Sequence, residues 1–404
     1  MVLSGLIRGC STAMLLMMLG SPASHAASAG LAMALEAAWE RSPQARALIA
    51  RRAEIAAARD TARAWTPGPP SLGLGERNDQ LTGGDGIRET EVSLSAPVWL
   101  PGQKAISQSL AASSGEELEA RLAGMRLEIA AQVRERLWEA VAAREAFDEA
   151  RDHQQHLQAL TDEVQRRVSA GDLARTDGML AQQEVLAAQA AVSAIQARVN
   201  EAVSRYRLLT GHTDIPAAEI EADGMPAADP HPRVLAARAA LQRAQASLRV
   251  LQASRREPPV VGLSMRRERD RDVAGSTHTV GIAIQVPFGT AARNRVQETA
   301  AATEIEEAMA ELAQAENTAQ ADVQLAQQQL VETRRALDAA VSRTALTAEH
   351  VQLIEKAFRL GERGLADTIR AHALAHEAEA AERQQRVALG LAHARLNQAK
   401  GVLP

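Results

Sequence analysis

The side chains best suited to chemistry in this sequence are histidines that occur in pairs. His372 and His376 lie four residues apart and precede Glu377, and His153 and His156 form a second pair. Two histidines at such a spacing share one helix face, where they could bind a divalent metal ion. No third ligand is apparent and no H-E-x-x-H pattern occurs, so we predict polar-face histidines without a metal or another cofactor.

The sequence also lacks the motifs of common enzymes. It contains no G-x-S-x-G nucleophile elbow, no Walker A motif and no glycine pattern for dinucleotides. Its only cysteine, Cys10, excludes a disulfide framework and a cysteine-based metal site. We therefore predict that the protein is not an enzyme.

The composition points to helices and away from nucleic acid. Apolar residues make up 46% of the 404 residues, but aromatic residues only 2%, so Ala, Leu and Val must form most of the core. Small aliphatic side chains suit long helices that pack closely side by side. The net charge of −5 and the absence of a basic block argue against a nucleic-acid partner.

The first residues have the three parts of a secretory signal peptide. Arg8 supplies the positive region, residues 13–19 (AMLLMML) the apolar region, and Ser24-His25-Ala26 a small-x-small cleavage site. We predict a signal peptide over residues 1–26, uncertain by a few residues at the cleavage site, and an exported mature chain. The alternative is a buried N-terminal helix.

The remaining chain is a tandem duplication. Landmark residues recur about 190 positions later: Gly171 and Gly361, Asp177 and Asp367, Ala181 and Ala371, Gly211 and Gly401. Both halves also open a helical stretch at a proline, Pro43 or Pro232, and end it at a proline pair. The sequence thus predicts a first repeat over 27–211, a linker over 212–230 and a second repeat over 231–404.

Each repeat is predicted to contain a helix, two strands, a very long helix and a return helix. In the first repeat these are residues 31–64, 71–77, 91–99, 103–169 and 172–210. In the second repeat they are residues 232–255, 260–266, 279–288, 292–360 and 365–400. Turn residues at 82–86 and 272–276 connect the paired strands. The predicted fold is mainly α with a small β part.

The two kinds of element suggest two environments. Apolar residues recur every 3.5 positions in the first long helix, from Leu118 to Val141, which predicts coiled-coil packing over a length on the order of 100 Å. In the strands, Val92 and Leu94 alternate with Ser93 and Ser95. Such alternation fits a transmembrane barrel with a wet interior, or a half-buried soluble sheet. A membrane barrel would need several chains, because four strands cannot close a channel.

These features together resemble the TolC-like outer-membrane efflux channels. The resemblance rests on the signal peptide, the duplicated plan, and two stretches, Ser42-Pro43 to Trp65-Thr66-Pro67 and Gly361-Glu362-Arg363 to Asp367. It covers essentially the whole mature chain. The general plan also resembles the heavy-metal branch of the family, and no residue of the sequence separates that branch from the others. Its specificity lies in the order of elements and in the duplication.

The resemblance implies a homotrimer in the cell outer membrane. Each protomer would give four strands to a shared 12-stranded β-barrel among outer-membrane lipid, and its long helices to an α-helical tunnel in the periplasm. The channel would work with a periplasmic adaptor protein and an inner-membrane pump of the RND type. It would export small molecules or metal ions, and the sequence does not name the substrate. Trp65, Trp99 and Phe288 are the available residues for aromatic belts.

The resemblance also assigns a closed periplasmic end to the glycine turns. Gly171, Gly361 and Gly364 would form turns that face the adaptor, and Thr176, Asp177, Phe358 and Arg363 would form a gate tether. Asp367 and Arg370 would lie at the pore constriction, where threefold symmetry makes Asp367 a carboxylate ring. Phe358 stands where some members carry a tyrosine, and Arg370 where some carry a second acid. The alternative is a solvated pair of helix ends capped by aspartate.

A second function class also fits the sequence. A soluble periplasmic coiled-coil scaffold or adaptor-like protein would have the same signal peptide and long helices, with its strands packed as a small sheet. Recovery of the protein from the soluble periplasm or from the membrane fraction separates the two hypotheses.

Overall fold

A computed structural model describes residues 23–78, 88–217, 219–225, 230–269, 275–288 and 291–404. The helices are α1 (Ala23–Arg41), α2 (Pro43–Arg63), α3 (Gln103–Ala170), α4 (Arg175–Thr210), α5 (Pro232–Ala253), α6 (Ala291–Arg359) and α7 (Leu365–Ala399). The strands are β1 (Ser71–Asn78), β2 (Arg88–Pro97), β3 (Val260–Arg269) and β4 (Thr277–Gln285). Most of the predicted signal peptide, the predicted turn at 82–86 and most of the turn at 272–276 lie outside the described residues.

The chain is mainly helical with a small antiparallel sheet, which confirms the predicted fold class. The order α2-β1-β2-α3-α4 recurs as α5-β3-β4-α6-α7. The two long helices, α3 with 68 residues and α6 with 69, would each reach about 100 Å at the α-helical rise per residue. Within the described part of the chain, no helix is both apolar enough and long enough to cross a bilayer.

Glycine turns reverse the chain at the end of each long helix. Gly171 follows α3 with φ 86° and Gly361 follows α6 with φ 78°, a left-handed conformation that residues with a β-carbon adopt only with strain. The amide N–H of Gly171 donates to the carbonyl of Val168, and that of Gly361 to Phe358, so both helix ends are capped. Helices α4 and α7 then return along α3 and α6 as antiparallel partners.

The prediction of one continuous helix over residues 31–64 is wrong, because the helix is interrupted at Ser42. The Ser42 hydroxyl accepts a hydrogen bond from the Ala45 amide at 3.2 Å, and Pro43 occupies the first position of α2. A capping serine followed by proline ends one helix and begins the next. Helix α1 instead packs its buried residues Leu31 and Leu35 into a core with Val133 and Tyr206.

The four strands form one sheet in the order β1-β2-β3-β4, with all neighbours antiparallel. The β2–β3 pairing joins the two halves of the chain side by side. The predicted strand over 91–99 is displaced: β2 begins at Arg88, which pairs with Asn78, and ends at Pro97, which has no amide proton. Trp99 lies beyond the strand, and its indole N–H donates to the Ala64 carbonyl at 3.1 Å.

Candidate functional site

The sheet has one apolar face and one polar face, and the register assigns every residue to one of them. Three successive rows across the sheet are apolar: Leu74, Val92, Met265 and Val280; Leu72, Leu94, Leu263 and Ile282; and Ala96, Val261 and Ile284. The opposite face carries Ser93, Ser95, Ser264 and glycine or alanine neighbours. This is the alternation that the sequence predicts, with both faces extended across all four strands.

The apolar face is the more exposed of the two. Leu74 is 76% exposed and Ile282 77%, whereas the side chains of Ser93 and Ser95 are half-buried. A sheet of a water-soluble domain normally buries its apolar face and exposes the polar one. In this sheet the arrangement is reversed, and no other described element of the chain covers the apolar side.

Of the three aromatic residues near the sheet that could form belts, two are exposed. Trp65 is 95% exposed and Phe288 94%, both at the end of the sheet where the helices join it. Trp99, the third predicted belt residue, is half-buried and hydrogen-bonded to the end of α2. Trp99 thus differs from the other two residues in being half-buried, with its indole N–H bonded inside the chain.

At the opposite end of the long helices, the two glycine turns lie next to a shared apolar cluster. Buried Phe358 and Leu365, from the second turn, pack with Val164 and Ala181, from the first. The Arg167 guanidinium lies over the Phe358 ring, 4.8 Å from its centroid. A cation above an aromatic face is attracted to the ring, so this contact joins the ends of α3 and α6. The sequence placed Phe358 at the gate, but nothing in it indicated Arg167 as the partner.

The predicted gate residues of the first half lie at the beginning of α4. Thr176 is exposed, and the Asp177 carboxylate accepts a hydrogen bond from the Ala174 amide at 3.3 Å. An acidic side chain in the first turn also interacts favourably with the helix dipole. Asp177 thus caps its own helix within the protomer, which is the alternative role that the sequence left open for it.

The predicted residues of the second half lie around the beginning of α7. Arg363 pairs with Asp367 at 3.6 Å, and both side chains are about half exposed. Arg370 is exposed, and Gly364 supplies the carbonyl that accepts from the Asp367 amide. Gly171, Gly361 and Gly364 are all exposed at the tip of the turns. Among the described residues, the ion partner of Arg363 is therefore Asp367, a predicted constriction residue.

The histidine pairs come together between α3, α6 and α7, next to a cavity of about 330 Å³. The rings of His153 and His376 stack with centroids 3.7 Å apart. His376 contacts the Glu149 carboxylate, and His372 lies 3.0 Å from that of Glu355. Burial, and after it the nearby His376, lower the pKa of His153 to about 4. Within the described ranges, no group of three or more candidate ligands is placed to hold a metal ion.

A buried arginine that the sequence did not indicate fixes the segment between α4 and α5. Arg134 is 2% exposed, and its guanidinium donates to both carboxylate oxygens of Glu221 at 2.8 and 2.6 Å. It also donates to the Gln398 side chain and to the Val402 carbonyl. Asn397 donates to the same glutamate at 3.2 Å. Arg134 thus connects α3, the linker and the end of α7.

Comparisons with known proteins identify the fold from structure and not from sequence. No protein-family profile and no curated protein sequence matches the chain. The outer membrane protein VceC of Vibrio cholerae superimposes with a TM-score of 0.72 at 17% identity, over 93% of this chain and 96% of that one.

Two outer membrane channels are similarly close. CmeC of Campylobacter jejuni gives a TM-score of 0.73 at 12% identity, over 92% of this chain and 85% of that one. The open state of MtrE of Neisseria gonorrhoeae gives 0.71 at 18% identity, over 92% and 89%. The likeness spans nearly the full length of both partners, including the sheet and the long helices. This chain therefore has the fold of these outer-membrane channels, as its resemblance to the TolC-like efflux channels predicts.

Proposed function

We propose that the protein is the outer-membrane channel of a tripartite efflux system, located in the outer membrane with its helices in the periplasm. The observation that carries this proposal is the exposed apolar face of the sheet at one end of helices about 100 Å long. Lipid is the environment in which such a face is favourable, and the polar face would then line a wet interior. The channel performs no bond chemistry.

The sheet also requires partners of its own kind. Strands β1 and β4 each have one side without a neighbour among the described residues. Backbone groups at an open sheet edge are costly in lipid, so β4 of one copy must pair with β1 of the next. Three copies with four strands each give the 12-stranded barrel that the resemblance implies, and the homotrimer follows.

The helices supply a second argument for the trimer. Along its whole length α6 exposes large apolar side chains that no described element covers: Val296, Met309, Leu325, Val331, Val341, Leu346 and Leu353. Exposed apolar side chains of this size are favourable when they pack against a neighbouring helix. In a trimer α6 of one protomer would contact the next one, and the helices would enclose a tunnel.

The exposed turns at the other end of the helices are the surface that we assign to the partners. Gly171, Gly361 and Gly364 would meet a periplasmic adaptor, which connects the channel to an inner-membrane pump of the RND type. Small molecules or metal ions are the proposed substrates. In the closed state, Arg363 would leave Asp367 and form an ion pair with Asp177 of a neighbouring protomer.

Membrane fractionation and bilayer recording test the proposal together. The protein is expected in the outer-membrane fraction, and the purified protein should run as a cross-linked trimer and conduct ions in planar bilayers. The rival hypothesis, a soluble periplasmic scaffold or adaptor-like protein, predicts recovery from the periplasm without detergent. That recovery, together with an absence of conductance, would refute the channel.

A further inference from the structure

The apolar face of the sheet becomes basic at the end away from the long helices. Beyond the apolar rows, the same face carries three exposed arginines: Arg88 on β2, and Arg267 and Arg269 on β3. Arg88 pairs in register with Arg269, so two guanidinium groups stand side by side on neighbouring strands. We name these three arginines the basic rim.

Among the described residues, the basic rim has more positive charge than the nearby carboxylates neutralise. Arg88 forms an ion pair with Glu76 at 2.5 Å on the same face. Arg267 and Arg269 have no carboxylate partner among the described residues. Since like charges side by side repel each other, the arrangement is favourable only when an anion joins it.

The polar face at the same height has the opposite balance. Arg77 pairs with Glu89 at 3.6 Å, and Arg266 pairs with Glu89 at 2.7 Å and with Glu91 at 3.4 Å. Each arginine of this face therefore has a carboxylate, and Glu268 adds a further negative charge there. In the described part of the sheet, the surplus of positive charge therefore lies on the side that carries the apolar rows.

We propose that the basic rim binds the phosphate groups of anionic lipids around the outer end of the sheet. This inference rests on the proposed function, which places the apolar rows in lipid. Arg267 lies two residues beyond Met265, about 7 Å further along the strand, where the acyl region gives way to headgroups. Arginine binds phosphate through two parallel N–H donors and retains its charge at any relevant pH.

The test measures lipid binding to the purified full chain by native mass spectrometry, with phosphatidic acid and phosphatidylcholine as probes. The double variant Arg267→Gln with Arg269→Gln should weaken phosphatidic acid binding roughly tenfold or more, about fivefold for each arginine near the headgroups. Binding of phosphatidylcholine, which is neutral overall, should not change. Added salt should reduce phosphatidic acid binding, because the attraction is electrostatic.

The polar face supplies a control with the same charge change. Arg77→Gln with Arg266→Gln removes two arginines at the same height and should leave phosphatidic acid binding as in the unmodified protein. Arg267→Lys with Arg269→Lys keeps the charge but loses the paired N–H donors. It should bind phosphatidic acid more tightly than the glutamine pair and less tightly than the unmodified protein, which distinguishes a charge effect from misfolding. Equal losses in the two glutamine pairs, or none in the rim pair, would overturn the proposal.

Two further arms separate this inference from its alternatives. Inorganic phosphate at millimolar concentration should not displace the lipid, and displacement would mean a site for free phosphate instead. The rim variants should still conduct ions in bilayers of phosphatidylcholine. Conductance without any preference for phosphatidic acid would refute the basic rim alone, whereas failure of the unmodified protein to insert would refute the channel.

Discussion

At the scale of single residues, Arg134 and Glu221 form the most buried ion pair among the described residues. Arg134→Met removes the four hydrogen bonds of the guanidinium and leaves the Glu221 carboxylate without its cation. Loss of one partner from a buried pair costs about 3 kcal/mol, because the remaining charge is desolvated. We expect a lower midpoint of urea denaturation, followed by circular dichroism in detergent.

An exposed pair of the same chemistry provides the control for that measurement. Arg205 and Glu201 are about half exposed on α4 and lie 2.5 Å apart. Arg205→Met should change the free energy of unfolding by less than about 1 kcal/mol, as is usual for surface ion pairs. Equal effects of Arg134→Met and Arg205→Met would contradict the assignment of Arg134 as a buried junction.

His153 gives the fold a dependence on pH with a definite sign. Its pKa is lowered to about 4 in the folded chain, so the fold favours the neutral ring. Stability is therefore complete above the ordinary pKa near 6.5 and decreases as the pH falls from there towards 4. After allowance for partial exposure, we expect a loss of about 1 kcal/mol, measured as a falling melting temperature.

Several ionisable side chains surround His153. Glu149 and Asp152 on α3, Glu355 on α6, and His372, His376 and Glu379 on α7 border the cavity or its ion pairs. His153→Phe keeps an aromatic ring beside His376 and removes the titration. If the melting temperature of His153→Phe fell with pH as steeply as that of the unmodified protein, the assignment to His153 would be contradicted.

At the scale of elements, the approach of α7 to α3 depends on a glycine. The Trp138 ring of α3 lies against Gly390 so closely that a β-carbon there would overlap it. Gly390→Ala should therefore destabilise the chain by about 2 kcal/mol, despite the better helix propensity of alanine. Thermal unfolding should show the loss.

Another helical glycine tests whether crowding is the cause. Gly124 on α3 has open space where a β-carbon would lie. Gly124→Ala should stabilise the chain by about 0.5–1 kcal/mol, because alanine restricts the unfolded chain more than glycine. If Gly390→Ala raised stability as Gly124→Ala is expected to do, the close contact with Trp138 would be disproved.

Neighbouring residues of β3 test the two faces of the sheet. Leu263→Arg puts a charge on the exposed apolar face, and Ser264→Arg puts the same charge on the polar face. An arginine in the middle of a membrane costs about 2–4 kcal/mol, whereas one on a wet interior costs little. We expect Leu263→Arg to lower recovery in the outer-membrane fraction and Ser264→Arg to leave it unchanged. If Ser264→Arg lowered the recovery and Leu263→Arg did not, the face with Ser264 would be the one in contact with lipid.

The elements differ in how far the sequence could predict them. The strands were predictable because apolar and polar residues alternate, and the long helices because their sequences contain few breakers. The start of a helical stretch at Pro43 was predicted, but the residues before Ser42 were joined to the same helix, since apolar periodicity continues across Ser42. The ends of β2 shifted because strand ends depend on pairing with β1 and β3, which no local pattern specifies.

At the scale of the whole molecule, the contacts between the two halves escaped sequence analysis. Phe358 meets Arg167, His376 meets His153, and Arg383 meets Asp152 at 3.0 Å, each pair distant in sequence. All three pairs join the arm formed by α6 and α7 to α3. Such contacts depend on how the α3–α4 pair packs against the α6–α7 pair. The spacing of apolar residues along one helix does not specify that packing. A movement of α6 and α7 relative to α3 would change these contacts.

The proposed gate at the glycine turns connects single residues with the proposed trimer, and Arg363 is the best residue with which to test it. If Arg363 tethers a neighbouring Asp177, Arg363→Ala should raise single-channel conductance severalfold in planar bilayers, because the turns would separate. Asp177→Ala should do the same but also removes the cap of α4, so Arg363→Ala is the cleaner variant. Asp367→Asn frees Arg363, in the turn, from its partner at the beginning of α7 and should not raise conductance. Arg335→Ala, in the middle of α6, breaks an exposed pair of similar kind and should have no effect. Unchanged conductance in both Arg363→Ala and Asp177→Ala would remove the tether and leave the aspartate as a helix cap.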